Sequence, residues 1–231
     1  MPAQLSSDKN TTVKNTDAHI ITSEPHACAG RPKNLQKRQQ VLQQASLLFL
    51  RQGFTNTSMD QVAKASDVSK QTVYSHFKNK AVLFQAVINE KCTQYQLNDQ
   101  TLLESPCSLD EKLTQIAEHF IALIHDELVV AMYNVVIAEA KTHPEVAEMF
   151  YLTGPQQAID FVSDCIKQTY PKLDSAKIHG LSVDFYNLLK SDFHMKSLLG
   201  LSTPMTLLEQ RSFAAICCKK FQAILTLELA E

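Results

Sequence analysis

The sequence predicts an all-α protein in two parts, a three-helix N-terminal helix-turn-helix domain and a larger helical bundle, and three observations carry that expectation. With only five glycines and no tryptophan in 231 residues, the chain lacks the turn glycine that β-sandwiches and barrels consume, and it has no glycine-rich nucleotide loop. Apolar residues recur at three- and four-residue steps along most of its length, the period of a helix face. Charge is also divided: Arg31 to Lys80 carries nine Lys and Arg against Asp60 and Asp67, a net +7, whereas the chain from Ala81 carries eleven bases against nineteen acids, a net −8. A basic module joined to an acidic body fits a chain of which one end meets a polyanion.

Composition bounds the rest. Hydrophobic residues at 45% with 20% charged residues give a globular balance that rules out wholesale disorder. No run approaches the roughly eighteen apolar residues of a membrane span. The polar first thirty residues lack the apolar centre of a secretory signal, so a cytoplasmic location is expected. The six cysteines form no C-x-x-C pair, which points to free thiols rather than disulfides or zinc.

Residues 1–32 have no period and read as a flexible polar tail. From Lys33 to Gln52, Val41, Leu42, Ala45, Leu48 and Phe49 mark one apolar helix face, and Gly53 stands where a left-handed C-cap is wanted. Phe54 folds the chain back, and Thr57 or Ser58 caps a second short helix that turns Met59, Val62 and Ala63 inward. In Ala65-Ser66-Asp67-Val68-Ser69, Asp67 tolerates the positive φ of a tight turn and Ser69 caps a third helix, Lys70 to His76. That helix sends Val73 and Phe77 inward and leaves a polar, aromatic and basic face. Asn79 caps a long fourth helix from about Lys80 to Leu103.

The body reads as helical throughout. Leu109, Leu113, Ile116, Phe120, Leu123 and Ile124 form one amphipathic face, whereas Leu128 to Ala138 is apolar all round and is expected at the centre of the body. Pro144 opens the next helix, Gly154-Pro155 closes it and starts another that ends near Tyr170, and two long helices follow, about Asp174 to Leu199 and Pro204 to Leu229.

The run from Val41 to Phe54, then Thr57-Ser58-Met59-Asp60-Gln61-Val62-Ala63 and Val68 to Lys80, strongly resembles the DNA-binding domain of TetR/AcrR-type transcriptional regulators. Two positions depart from that pattern: Asp67 stands where the family usually has Gly, and Gln71 where Gly or Pro is common. Physical reasons run parallel to the resemblance. A helix fits the major groove, and its capped N-terminus presents backbone N–H groups to phosphate. Lys70, Gln71 and Thr72, behind the Ser69 cap, are the expected base-edge readers, Gln71 being able to pair with adenine. Thr57, Ser58, Tyr74, His76, Lys78 and Lys80 are expected phosphate clamps, with packing of the Tyr74 ring on Leu83 or Phe84 as its rival role.

The body, through Val136-Ile137-Ala138-Glu139-Ala140, Pro144-Glu145-Val146-Ala147, Phe150-Tyr151 and Gly154-Pro155, is similar to the C-terminal domain of an AcrR-like subgroup. That resemblance implies a hydrophobic effector pocket and dimerisation through the last two helices. Polar residues that interrupt the apolar helices, His119, Tyr133, Asn134, Tyr151, Tyr186 and Asn187, are the candidate pocket groups. Phe213, Ile216, Cys217, Phe221, Ile224 and Leu225 fall on one stripe and are the candidate dimer contact. Tyr95 and Leu102, late in the fourth helix, are expected to face the pocket.

Other constellations carry less. His119 and His125, six apart, lie on different helix faces and make no i, i+4 metal pair; no catalytic pattern and no cofactor site stands out. Cys217-Cys218 suits packing better than redox sensing. The reading is a homodimeric regulator of double-stranded operator DNA, with a DNA-binding domain over 33–94 and an effector-binding and dimerisation domain over 95–231. It is expected to repress and to leave its operator when a small hydrophobic effector binds. The alternatives are a ligand-independent activator or global regulator, and a helical enzyme with a nucleic-acid anchor.

Overall fold

The computed structural model describes residues 31–201 and 203–230. The expected tail falls in residues 1–30, outside the described residues, while Arg31 and Pro32 already belong to the first helix. The N-terminal module comprises α1 (Arg31–Gln52), α2 (Met59–Ala65), α3 (Lys70–His76) and α4 (Lys80–Gln94). The body comprises α5 (Gln100–Glu104), α6 (Leu109–Ile124), α7 (Glu127–Glu139), α8 (Pro144–Thr153), α9 (Pro155–Thr169), α10 (Ser175–Leu198) and α11 (Leu207–Ala230). No strand occurs among the described residues, and no single helix there is long and apolar enough to cross a membrane.

Capping chemistry sets most boundaries. Ser58 rather than Thr57 caps α2, its hydroxyl accepting from Gln61 N while the Gln61 side chain returns to Ser58 N, a closed capping box. Ser69 accepts from Thr72 N at the head of α3, and Asn79 accepts from Val82 N at the head of α4. Ser108 and Glu111 make a second capping box at α6. Gly53 adopts φ 81° and closes α1 with Gly53 N donating to Phe49 O; the left-handed C-cap expected there is present.

Two apolar cores form. The first joins α1 to α4 through Val41, Leu42, Phe49, Val73, Phe77 and Phe84, and it draws in Met132 and Val136 of α7 and Val146 of α8. Phe84 meets Phe49 and Phe54 edge-on at centroid separations of 5.2 and 5.1 Å. The second core holds α6, α9, α10 and α11 together around Phe120, Phe161, Phe185 and Phe221.

Four expectations change. The fourth helix does not run to Leu103: it stops at Gln94, Gln96 takes φ 50°, and Asp99 caps the short α5. Its apolar period carries on through the break, which hid the turn. The all-apolar α7 does not lie at the centre of the body, since Val129, Met132 and Val136 are buried while Leu128 and Ile137 face out. In α10, Ser191 breaks the helix at φ 47°. Finally, the stripe assigned to a dimer contact points mostly inward: Cys217, Phe221 and Leu225 are buried, Phe213 and Ile224 pack partly on the same core, and Ile216 alone is largely exposed.

Cys92, Cys165, Cys217 and Cys218 are buried free thiols and Cys107 is partly exposed. Burial pushes the Cys92 and Cys165 thiols up to about 11 and raises Cys217 and Cys218 as well. Thiols held protonated in this way pack rather than react.

Candidate nucleic-acid interface and body cavity

The interface is built on the turn between α2 and α3. Ser66 is buried and donates its hydroxyl to Val62 O at 2.7 Å, Asp67 takes φ 49°, and Val68 N reaches back to Ala63 O at 3.1 Å. Asp67 therefore fills the position at which the family pattern has Gly, as its tolerance of positive φ predicts. With Val73 and Phe77 anchored in the core, α3 presents Gln71, Tyr74, Ser75 and the following Lys78 to solvent. Tyr74 is 51% exposed, which removes its rival packing role on Leu83 or Phe84.

Lys70, exposed, reaches Asp60 at 2.5 Å across the two helix starts. A surface pair of this kind holds weakly enough to be exchanged for a phosphate. Ser69 and Thr72 share a hydroxyl contact of 2.8 Å at the head of α3, and Ser58 is exposed at the head of α2.

Two expected clamps are committed elsewhere. Thr57 is 2% exposed and donates its hydroxyl to Gly53 O at 2.7 Å. Lys80 donates to Phe54 O at 2.7 Å and Thr55 O at 3.0 Å and lies 4.4 Å over the Phe54 ring. Both side chains brace the α1–α2 turn, and burial lowers the Lys80 ammonium from its ordinary range, with Glu139 opposing. His76 is half-buried beside Phe77, with Nε2 enclosed.

The same turn meets the body. Glu139, at the end of α7, accepts from Thr55 N at 3.3 Å and Thr55 Oγ1 at 3.0 Å, and its Oε1 would lie 1.9 Å from a Cβ placed on Gly53. In the sequence Glu139 stands out only as part of the run Val136 to Ala140 that resembles the family body, and nothing local marks its contact with the turn.

Between α4, α6, α7, α8, α9 and α10 lies a cavity of about 70 Å³, walled by Ile88, Leu123, Met132, Phe150 and Ile159 among others. By the roughly 10–15 Å³ that one water needs, it has room for a handful of waters or a slender ligand. Of the six expected pocket residues, Tyr133 and Tyr186 line it, with the Tyr186 hydroxyl donating to Ala158 O at 3.1 Å. Asn134 lines a separate, more open cleft of about 280 Å³ beside His125 and Phe193. His119 sits on α6 away from the cavity, and Tyr151 and Asn187 point to solvent. Tyr151 and Asn187 lie on the outer sides of their helices, whereas His119 is half-buried with its Nδ1 enclosed but does not line the cavity. Tyr95 does not line the cavity and Leu102 packs in the second core, so the fourth helix meets the cavity earlier, through Val87, Ile88, Lys91 and Cys92.

At the cavity rim Lys91 and the Tyr95 hydroxyl both donate to Asp126 Oδ2 at 2.9 Å, and Asp126 also caps α7. Burial pulls the Asp126 carboxyl up, but these donors hold it below the usual carboxylate range. Burial pushes the Tyr133 phenol up to about 12. Lys190 is lowered by burial.

The profile described as "Bacterial regulatory proteins, tetR family" matches residues 41–87, and that of the "AefR-like transcriptional repressor, C-terminal domain" matches residues 111–224. The chain belongs to the TetR family. Its helix-turn-helix module is 42% identical over 50 residues to the HTH-type transcriptional regulator AcrR of Shigella flexneri, covering 22% of this chain and 23% of that protein. The chain thus aligns with less than a third of the length of the first curated relatives. The fold extends further. A TetR-family regulator of Mesorhizobium loti superposes with a TM-score of 0.64 at 24% identity, over 83% of this chain and 98% of that one. The flavonoid-responsive regulator FrrA superposes with a TM-score of 0.61 at 26% identity, over 82% and 96%. The body thus matches an AefR-like profile, where the sequence alone suggests an AcrR-like subgroup of the same family.

Proposed function

We propose that this TetR-family regulator acts in the cytoplasm as a homodimer that places α3 in successive major grooves of an operator, blocks the promoter, and leaves it when a small apolar molecule enters the body cavity. The observation that carries this reading is the outward face of α3, where Gln71, Tyr74 and Lys78 stand exposed beside Lys70, on a helix whose inner face is locked by Val73 and Phe77. Gln71 and Lys70 act as base readers with Thr72. Ser58, Ser69, Tyr74, His76 and Lys78 hold phosphates, and Thr57 and Lys80 support them through the turn. Similarity to the AefR-like repressor profile and to the flavonoid-responsive regulator FrrA supports repression and ligand response.

Fluorescence anisotropy on DNA selected from a random pool tests it. The wild type is expected to enrich a two-fold site, Lys78→Ala to weaken binding to all sequences alike, and Gln71→Ala to lose preference at one base step per half-site, a contact of roughly 1–3 kcal/mol. Failure to enrich any site would overturn the DNA-binding reading, and an unchanged preference in Gln71→Ala would remove that residue as a reader.

A further inference from the structure

We propose that the body cavity takes an apolar molecule bearing a single carboxylate, with the Lys190 ammonium as its anchor. This rests on the effector reading above and names its chemical class. Lys190 lines the cavity and, among the described residues, makes no hydrogen bond or ion pair. Every other charge at the wall is balanced: Lys91 is paired with Asp126, which Tyr95 also holds. The remaining polar groups are neutral, since Tyr133 and Cys92 are pushed up by burial to about 12 and about 11. His194, packed on Tyr133 at 5.1 Å, is lowered by burial and by Lys190, so no second cation joins the site.

The cavity therefore presents apolar walls and one uncompensated positive charge. A cationic ligand meets like charge, and a neutral one leaves a desolvated ammonium unpaired. A dianion finds only one free partner, because Lys91 is engaged. A monoanion satisfies the donor and uses the apolar walls for its tail, and the cavity volume favours a slender tail. The helix break at Ser191 lies directly after Lys190. A non-glycine residue held in the left-handed region next to a candidate anchor is the kind of local strain that collects at ligand clamps. Beyond the anchor, the second half of α10 packs Phe193 on His125 and His194 on Tyr133.

Calorimetric titration of the full chain with the straight-chain carboxylates from butanoate to decanoate, and with the matching primary alcohols, tests the assignment, with operator anisotropy run in parallel. At the best-fitting chain length the carboxylate is expected to bind at least tenfold more tightly than the alcohol. Lys190→Met and Lys190→Gln should erase that preference and Lys190→Arg should restore much of it. Because either neutral variant removes an unpaired buried charge, neither should melt below the wild type. Equal binding of carboxylate and alcohol, a preference that survives in Lys190→Met, or no binding across the series would overturn the proposal. Lys190-dependent carboxylate binding that leaves operator affinity unmoved would uphold the anion site and sink the effector reading. Operator release by the alcohols alone would uphold the effector reading and sink the anion site.

Discussion

Gly53 carries two demands that a single side chain cannot meet together. Its φ of 81° lies in the left-handed region, and the Glu139 carboxylate occupies the space a Cβ would need. Gly53→Ala is expected to lower stability by about 1–3 kcal/mol, read from the urea midpoint, and to weaken operator binding through the displaced turn. Lys80→Met tests the role reassigned to Lys80. A phosphate clamp would lower DNA affinity and leave the melting temperature alone, whereas a brace on Phe54 O and Thr55 O predicts a lower melting temperature in the absence of DNA. His194 adds a pH dependence. Burial and Lys190 hold its folded pKa below the ordinary 6.5, so the unfolded chain takes up the proton first. Stability from this group is present above pH 6.5 and falls as the pH drops below it. His125, also lowered by burial, acts in the same direction. Thermal melts at pH 7.5 and 5.5 should diverge in the wild type and converge in part in His194→Gln; equal divergence in both would remove His194 as a contributor.

At the scale of elements, α7 joins the two halves of the molecule. Its middle turn gives Met132 and Tyr133 to the cavity wall, and Met132 and Val136 also enter the core of the N-terminal module. Its last residue, Glu139, holds the Thr55 turn that precedes α2. A ligand that shifts α7 shifts that turn, and a ligand shifts an equilibrium only by its differential affinity for the two states. Glu139→Gln should therefore reduce the ratio of operator affinities without and with effector while ligand binding itself stays within about twofold, measured by anisotropy and calorimetry on one preparation. An unchanged ratio would place the coupling elsewhere, with α4 the next candidate. The sequence made the helix-turn-helix legible because its signals are local: Ser58, Ser69 and Asn79 cap, Gly53 and Asp67 turn, and Val73 and Phe77 repeat at helical spacing. The Glu139 contact spans 84 positions and leaves no local trace. The α4–α5 break and the outward face of α7 were hidden for a related reason, since apolar periodicity marks a helix but not where it stops or which of several apolar faces finds a neighbour.

At the scale of the whole molecule, α11 has two stripes. The inner one, Ala214, Cys217, Phe221 and Leu225, is buried against α6 and α10. The outer one is mixed, stepping through Leu208, Ser212, Ile216, Lys219, Ala223 and Leu227 at three- and four-residue intervals, and its apolar members Leu208, Ile216 and Leu227 are largely exposed. Met195 and Leu199 near the end of α10 are exposed too. Exposed apolar side chains that repeat along one helix suit a helix face covered by a partner. A second copy is the partner that the DNA geometry asks for, because one α3 reads few base pairs and a two-fold pair reads two half-sites. Neighbouring residues separate the two stripes. Cys217→Asp should abolish folding by placing an unpaired charge in the core, whereas Ile216→Asp with Leu227→Asp should leave a folded monomer of 25.9 kDa by light scattering. Since the salt slope of DNA binding scales as about 0.9 per neutralised phosphate, that monomer should bind operator with about half the wild-type slope. A wild type that is already monomeric at micromolar concentration, or a double variant that stays dimeric with an unchanged slope, would move the interface off α11.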